Sequence, residues 1–331
     1  MLKLILTTCL LFIFSDHNAQ SDHDQIINSI HKYHEEVCQN KNGEKADILN
    51  INLEKDIASV KTALYLSEEE RVIYQFFLLN RHKESWFIVS QNSSNILEKR
   101  FSKKILFVVS NAHYHGQSEI NTANHYFEII LPYDEFVQAG YEVDFVSPKG
   151  GAIPLGYINY TYSTSERYIF DSDFMYQLQN TKRPEDVKSS DYAAIFYCGG
   201  GAAMYGVPEN VEIQKIASEI YEKEGVVSSI CHGAAGIVNI KKSDGEYLIA
   251  GKKVNGFPDK FEDKEADYYQ EFPFSIEEKM KERGGHFNYS QEGWDQFYQV
   301  DGRIMTAQDP TGGRTIVKKI IEKLNNTTSK L

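Results

Sequence analysis

The stretch "EGVVSSICHGAAGI", Glu224 to Ile237, decides how this chain is read. A run of β-branched and small residues, Val226 to Ile230, leads straight into Cys231, His232 and Gly233, and an alanine-rich segment follows. That change of composition predicts a buried strand, a tight turn and then a helix over His232 to Ile240. A cysteine on such a turn is forced outward, and Ser229 and Gly233 are the small neighbours the turn requires. It would also meet the unpaired amides and positive end of the helix, which lower a thiol pKa. On spacing alone, Cys231 reads equally well as an activated nucleophile or as a buried core cysteine.

Working outward, the runs "ILFVVS", "YEVDFVS", "YAAIFYCG" and "GVVSSI" alternate with helix-like runs near Asn124 to Ala139 and Glu209 to Lys223. Apolar strands alternating with helices predict an α/β fold, a flavodoxin-like parallel sheet sandwiched by helices. Ligands of such sheets sit beyond the C-terminal strand ends. Three features fall at that edge: "CGGG" at 198–201, "CHG" at 231–233 and "GFPDKFED" at 256–263. Gly200 and Gly201 read as bare backbone able to offer N–H groups to a developing oxyanion, with a plain turn as the alternative.

Residues 21–98 have another rhythm. "DQIINSIHKYHEEV" spaces Ile26, Ile27, Ile30 and Val37 as an amphipathic helix, and "ASVKTALYL", "RVIYQFFLLNR" and "ESWFIVSQN" read as an antiparallel meander. A small α+β accessory domain is expected there, joined by the polar bridge "SSNILEKRFSKK" to a larger domain over 103–325. Residues 1–20 pair one early lysine with an apolar block from Leu4 to Phe14 and a polar break ending in Ala19 and Gln20. That pattern predicts a signal peptide and an exported, periplasmic or extracellular, protein. Beyond it stand Cys38, Cys198 and Cys231, an odd number that leaves at least one free thiol.

The formal charge of −12 is spread along the chain with no basic stripe, which argues against nucleic acid as a partner. No second long apolar run follows the signal, so no membrane span is expected. The histidines lack metal-ligand spacing, and "HYH" at 113–115 reads as a solvent loop. Glu128 is a lone acid among Tyr126, Phe127, Ile129 and Ile130, a costly placement unless it has a partner.

"YAAIFYCGGGAAMYGVPEN", "IASEIYEKEGVVSSICHGAAGI", "GKKVNGF" and "DGRIMTAQDPTGGRTIVKKI" together resemble the successive blocks of the ThiJ/PfpI family, within the glutamine-amidotransferase-like superfamily. The likeness runs from about Lys104 to Leu324 and is greatest to the heat-shock branch, the glutathione-independent glyoxalase III enzymes that also act as holding chaperones. It implies that Cys231 is the nucleophile and that His232 follows it in the family's manner. It implies an orienting acid at Asp259 or Glu262, with the spacing in "GFPDKFE" favouring Glu262, and it makes Glu128 the buried glutamate set against the thiol. Gly201 stands where relatives often carry histidine, so the loop can still donate amides but any substrate contact made by that histidine is missing; Cys198 stands where many carry proline, and no family role transfers to it.

The resemblance also implies a small 2-oxoaldehyde such as methylglyoxal as substrate, no metal or organic cofactor, and a homodimer. Gly200, Gly201 and the His232 amide would then bear the oxyanion. A different class of function is a secreted holding chaperone or stress-response interaction protein whose partners are unfolded protein clients. Deglycase, amidase or peptidase activity ranks lower, because the H-x-E pair of glutamine-hydrolysing relatives is missing near the C-terminus.

Overall fold

The computed structural model of the chain describes residues 22–37, 45–54, 57–66, 71–82, 85–96 and 104–328. The predicted signal peptide at 1–20 and Cys38 lie outside the described residues. The chain divides into two compact units, residues 1–99 and 100–331.

In the first unit, helix α1 (Asp22–Val37) is followed by strands β1 (Lys45–Glu54), β2 (Ile57–Leu66), β3 (Arg71–His82) and β4 (Ser85–Ile96). They form one antiparallel sheet in the order β1-β2-β3-β4. Ile26 and Ile30 of the helix close over Ala58, Val60, Phe77, Leu79 and Trp86, the inward members of an alternating pattern. The sequence reading missed β1, whose period breaks at a register shift between Ile48 and Asn50. It also stopped β4 short, taking Ser93 to Ile96 for bridge when these residues pair with β3.

The second unit carries β5 (Lys104–Val108), β6 (Asn124–His125), α2 (Tyr126–Gln138), β7 (Val143–Val146), β8 (Leu155–Gly156), α3 (Ser163–Ile169), α4 (Ser172–Gln179) and β9 (Tyr192–Tyr197). There follow α5 (Val211–Glu222), β10 (Val226–Ile230), β11 (Lys253–Val254), α6 (Asp267–Gln270), α7 (Ile276–Glu282), β12 (His286–Phe287), β13 (Tyr298–Asp301), β14 (Ile304–Ala307) and α8 (Gly313–Thr328). Six strands make the central sheet, in the order β13-β14-β10-β9-β5-β7. All its pairings are parallel except the edge hairpin of β13 with β14.

Both faces of this sheet are buried, as continuous apolar strands require. Ile105, Phe107, Ala194, Phe196, Val226 and Ile230 enter a core shared with Ile129 and Ile130 of α2 and Ile316 and Ile320 of α8. Leu106, Val108, Ile195, Tyr197 and Val227 alternate into the opposite core, against Ile213, Ile216 and Ile220 of α5.

From β5 the chain moves to edge strand β7, then returns to the other side of β5 for β9 and β10. The connections after β5 and β9 therefore run apart, leaving a crevice where an open α/β sheet binds ligands. One local expectation fails beside it. The segment after β10 winds as a 3-10 helix over Cys231–Ile237, not as an α-helix. A Cβ at Gly233 would lie 2.3 Å from the Tyr197 carbonyl, and one at Gly236 would lie 2.3 Å from the Tyr197 ring. The two glycines let the segment press against β9, and glycine is a poor α-helix former.

Candidate active site

Cys231 lies immediately past β10 with φ of 53°, in the left-handed region that a side-chain-bearing residue seldom adopts. Such a conformation costs on the order of 1–3 kcal/mol and persists only where the surroundings impose it. Here the strand on one side and the glycine-bearing turn on the other do so. The strain swings the thiol and the next side chain to one side, although the two residues are adjacent in sequence. Nδ1 of His232 lies 3.4 Å from the Cys231 sulfur, and Nε2 lies 2.8 Å from Oε1 of Glu262. An ionised carboxylate only accepts, so Nε2 carries the proton and the Nδ1 lone pair faces the thiol. His232 is held flat on Phe257, with centroids 4.9 Å apart, and meets Phe272 edge-on.

The alternative acid is committed elsewhere. Asp259 accepts from the Ser275 hydroxyl at 2.6 Å and pairs with Lys264 at 3.0 Å. Of the two acids in "GFPDKFE", Glu262 is the one that meets the imidazole.

Glu128, in the first turn of α2, is wholly buried, and neither carboxyl oxygen makes a hydrogen bond among the described residues. The Cys231 thiol and the Gly199 amide are near enough to influence its titration, yet burial dominates and drives the carboxyl well above the ordinary range. Gly199 is what admits it, since a Cβ there would fall 2.1 Å from Oε2. Sequence reasoning passed over this glycine in favour of its two successors.

Burial, reinforced by Glu128, pushes the Cys231 thiol well above its usual value, the reverse of the lowering expected from a helix N-terminus. The physical reason is that a 3-10 turn replaces the α-helix while the sulfur is withdrawn from water. A thiol so placed is more readily served by the adjacent His232 lone pair than ionised to a free thiolate.

Gly200 has φ of 98° and ψ of 157°, a conformation essentially reserved for glycine. A Cβ on it would lie 2.4 Å from the His125 nitrogen. The amides of Gly200 and Gly201 donate to no backbone acceptor among the described residues, which leaves them for a ligand. Cys198, at the end of β9, is a buried free thiol packed into the sheet core, and burial raises its pKa.

Two histidines complete the surroundings. His125, just before α2, stacks on Tyr157 with centroids 4.5 Å apart, and its Nδ1 lies 4.0 Å from Oε1 of Glu128. Burial lowers its pKa to about 4. The "HYH" loop is only partly a solvent loop: His113 and Tyr114 are exposed, but His115 is buried over Gly201. Nothing in local spacing marked it, because its neighbours Tyr205, Tyr268 and Phe272 come from distant segments. Among the described residues no helix is long and apolar enough to cross a membrane.

The chain is similar to known proteins over about two thirds of its length. The glutathione-independent glyoxalase hsp3102 of Schizosaccharomyces pombe is 29% identical over 218 residues, spanning 62% of this chain and 90% of the relative. Glyoxalase 3 of Candida albicans is 32% identical over 206 residues, 59% of this chain and 86% of the relative. Among solved structures, Rapid Encystment Protein 24 KDa of Francisella tularensis superposes with a TM-score of 0.63 at 29% identity, covering 67% of this chain and 99% of its own. The model of the DJ-1/PfpI family matches residues 121–323, which take in Glu128, the glycine loop, Cys231 and Glu262, and the chain belongs to that family.

Proposed function

We propose that the chain is a glutathione-independent glyoxalase of the glyoxalase III type, a lyase of the D-lactate dehydratase class that converts a 2-oxoaldehyde and water to a 2-hydroxy acid. The observation that carries this reading is the unbroken line from the Cys231 sulfur through both nitrogens of His232 to Glu262, beside a carboxyl kept protonated by burial. Relatives at about this level of identity bear the name glutathione-independent glyoxalase.

As the thiol gives its proton to Nδ1 of His232, the sulfur adds to the aldehyde carbon and a hemithioacetal forms. Glu262 steadies the resulting imidazolium. The Gly200 and Gly201 amides, which have no backbone acceptor among the described residues, serve the new oxyanion in this reading together with the His232 amide, which reaches the sulfur. His232, having returned its proton to the oxyanion, removes the remaining hydrogen of that carbon, giving an enediolate. The proton of the first oxygen passes to the second, and return of the abstracted proton from His232 to the neighbouring carbon gives the thioester of a 2-hydroxy acid. Water cleaves the thioester, releasing the acid and restoring the thiol. Protonated Glu128 donates to the sulfur or to a substrate oxygen, a role that an ionised carboxylate could not fill.

The test is release of 2-hydroxy acid from methylglyoxal, followed by chromatography and mass spectrometry, in the protein and in Cys231→Ala. Turnover that vanishes with the cysteine supports the reading, and equal product from both overturns it. A holding chaperone draws on a different feature, the exposed rings of Tyr160, Tyr162, Phe170 and Tyr176. That reading expects suppression of client aggregation to survive Cys231→Ala. Export rests on the charged start and apolar block of residues 1–20. Finding the full-length chain inside the cell, uncut, would overturn it.

A further inference from the structure

Like His232, the imidazole of His115 has surroundings that fix where its lone pair lies. Its Nδ1 is 3.2 Å from the Tyr205 hydroxyl, and that hydroxyl donates its single proton to the Glu271 carbonyl at 3.0 Å. Tyr205 can therefore only accept from His115, so the ring carries its proton on Nδ1 and its lone pair on Nε2. Burial, reinforced by the nearby His232, lowers the pKa of the ring and keeps it neutral at neutral pH.

The ring is held in place as well as in tautomer. Tyr205, Tyr268 and Phe272 surround it at centroid distances of 5.8, 5.4 and 5.7 Å. A Cβ on Gly201 would lie 2.7 Å from its Cε1 and 3.3 Å from its Nε2. The lone pair thus sits at the edge of the oxyanion loop, and Phe272 joins this ring to His232. Nε2 has no protein partner among the described residues, and it is not sealed in as Nδ1 of His125 is.

The groups assigned to the substrate oxygens, the Gly200 and Gly201 amides and the protonated Glu128 carboxyl, are donors, and the other acceptor there, the His232 lone pair, is taken up by the thiol. The donors suit the two carbonyl oxygens of a 2-oxoaldehyde. A fixed acceptor beside them has nothing to receive from a methyl group, and pairing it requires an O–H. We propose that His115 is a specificity-determining residue whose Nε2 accepts from a hydroxyl on the carbon beyond the substrate ketone, so that 3-hydroxy-2-oxoaldehydes are preferred to methylglyoxal. This rests on the 2-oxoaldehyde reading and narrows its substrate class.

The experiment compares kcat/KM for 3-hydroxy-2-oxopropanal and methylglyoxal in the protein, in His115→Phe and in His115→Gln. The expected preference for the hydroxylated substrate is about tenfold, the size of one hydrogen bond. It should fall to near unity in His115→Phe, chiefly through KM, and be partly kept in His115→Gln, which retains an acceptor. A preference for methylglyoxal, or a ratio that His115→Phe leaves unchanged, overturns the proposal while the glyoxalase reading stands. If the protein turns over neither aldehyde, both fall. Should the variants fail to fold, nitrogen-15 NMR of Cys231→Ala decides. The His115 Nε2 resonance should be that of an unprotonated nitrogen and should move with hydroxyacetone but not with acetone. A protonated Nε2, or equal responses, overturns the assignment.

Discussion

Helix α2 carries two buried acids, Glu128 and Asp134, less than two turns apart and opposite in circumstance. Asp134 accepts from Arg167, from the Tyr168 hydroxyl and from Arg314, each at 2.9 Å, and so ties α2 to α3 and α8. Glu128 has no hydrogen-bond partner among the described residues and faces the thiol. A buried acid that is fully paired holds helices together, whereas one left unpaired costs stability and is explained by what it does. The burial of the two is nearly the same, so burial alone would not separate architecture from chemistry.

The sharpest break in that comparison is at the group Glu128 serves. Cys231→Ser should lower turnover by at least about a thousandfold, measured as initial rates with saturating substrate. Next, Asp134→Ala should lower the unfolding free energy by about 3 kcal/mol in urea titrations, because it leaves the buried Tyr168 hydroxyl unpaired and removes the acceptor shared by Arg167 and Arg314, while leaving the rate within a few-fold. Glu128→Gln should do the reverse, costing about a hundredfold in rate with no loss of stability at pH 8. If Glu128→Gln destabilises as Asp134→Ala does, Glu128 is structural and the contrast fails.

The pH dependence sharpens it further. The folded-state pKa of Glu128 is raised, so its contribution is fully present below its unfolded pKa of about 4.5 and is lost as pH rises. Wild type should therefore weaken relative to Glu128→Gln between pH 4 and pH 8. His125 is the converse case, depressed from 6.5 to about 4. Its contribution is present above 6.5 and lost as pH falls toward 4, which should cost wild type about 2 kcal/mol relative to His125→Asn over that interval. Urea midpoints at pH 4, 6.5 and 8 check both signs.

The smallest effect is that of Asp259, which shares a short segment with Glu262. Glu262→Gln should cost about a hundredfold in rate by loosening the His232 tautomer, whereas Asp259→Asn should change it by less than about threefold, since Asp259 binds Ser275 and Lys264. A larger loss from Asp259→Asn than from Glu262→Gln would reverse the assignment of the orienting acid.

The parallel sheet was legible because β5, β9 and β10 are apolar on both faces, a pattern written within each strand. Cys231 stood out from the strand and turn around it, whereas His232, Glu262 and Glu128 were given roles only by the family resemblance, and the structure brings them to one place around the thiol. β1 was not, since its register shift destroys the alternation by which strands are read. His115 was not either, because its burial depends on rings supplied by residues 205, 268 and 272, none of them near it in sequence.

By itself the sequence determined what short-range pattern can carry: an α/β domain, a cysteine at a strand end, and glycines where side chains are forbidden. The tertiary structure alone decided what depends on solvent exclusion and distant neighbours. It raised the thiol pKa where a helix dipole would have lowered it, turned the adjacent histidine back onto the sulfur, chose Glu262 over Asp259, and set His115 against Gly201. Desolvation and packing are sums over three-dimensional neighbours, and no local spacing encodes them.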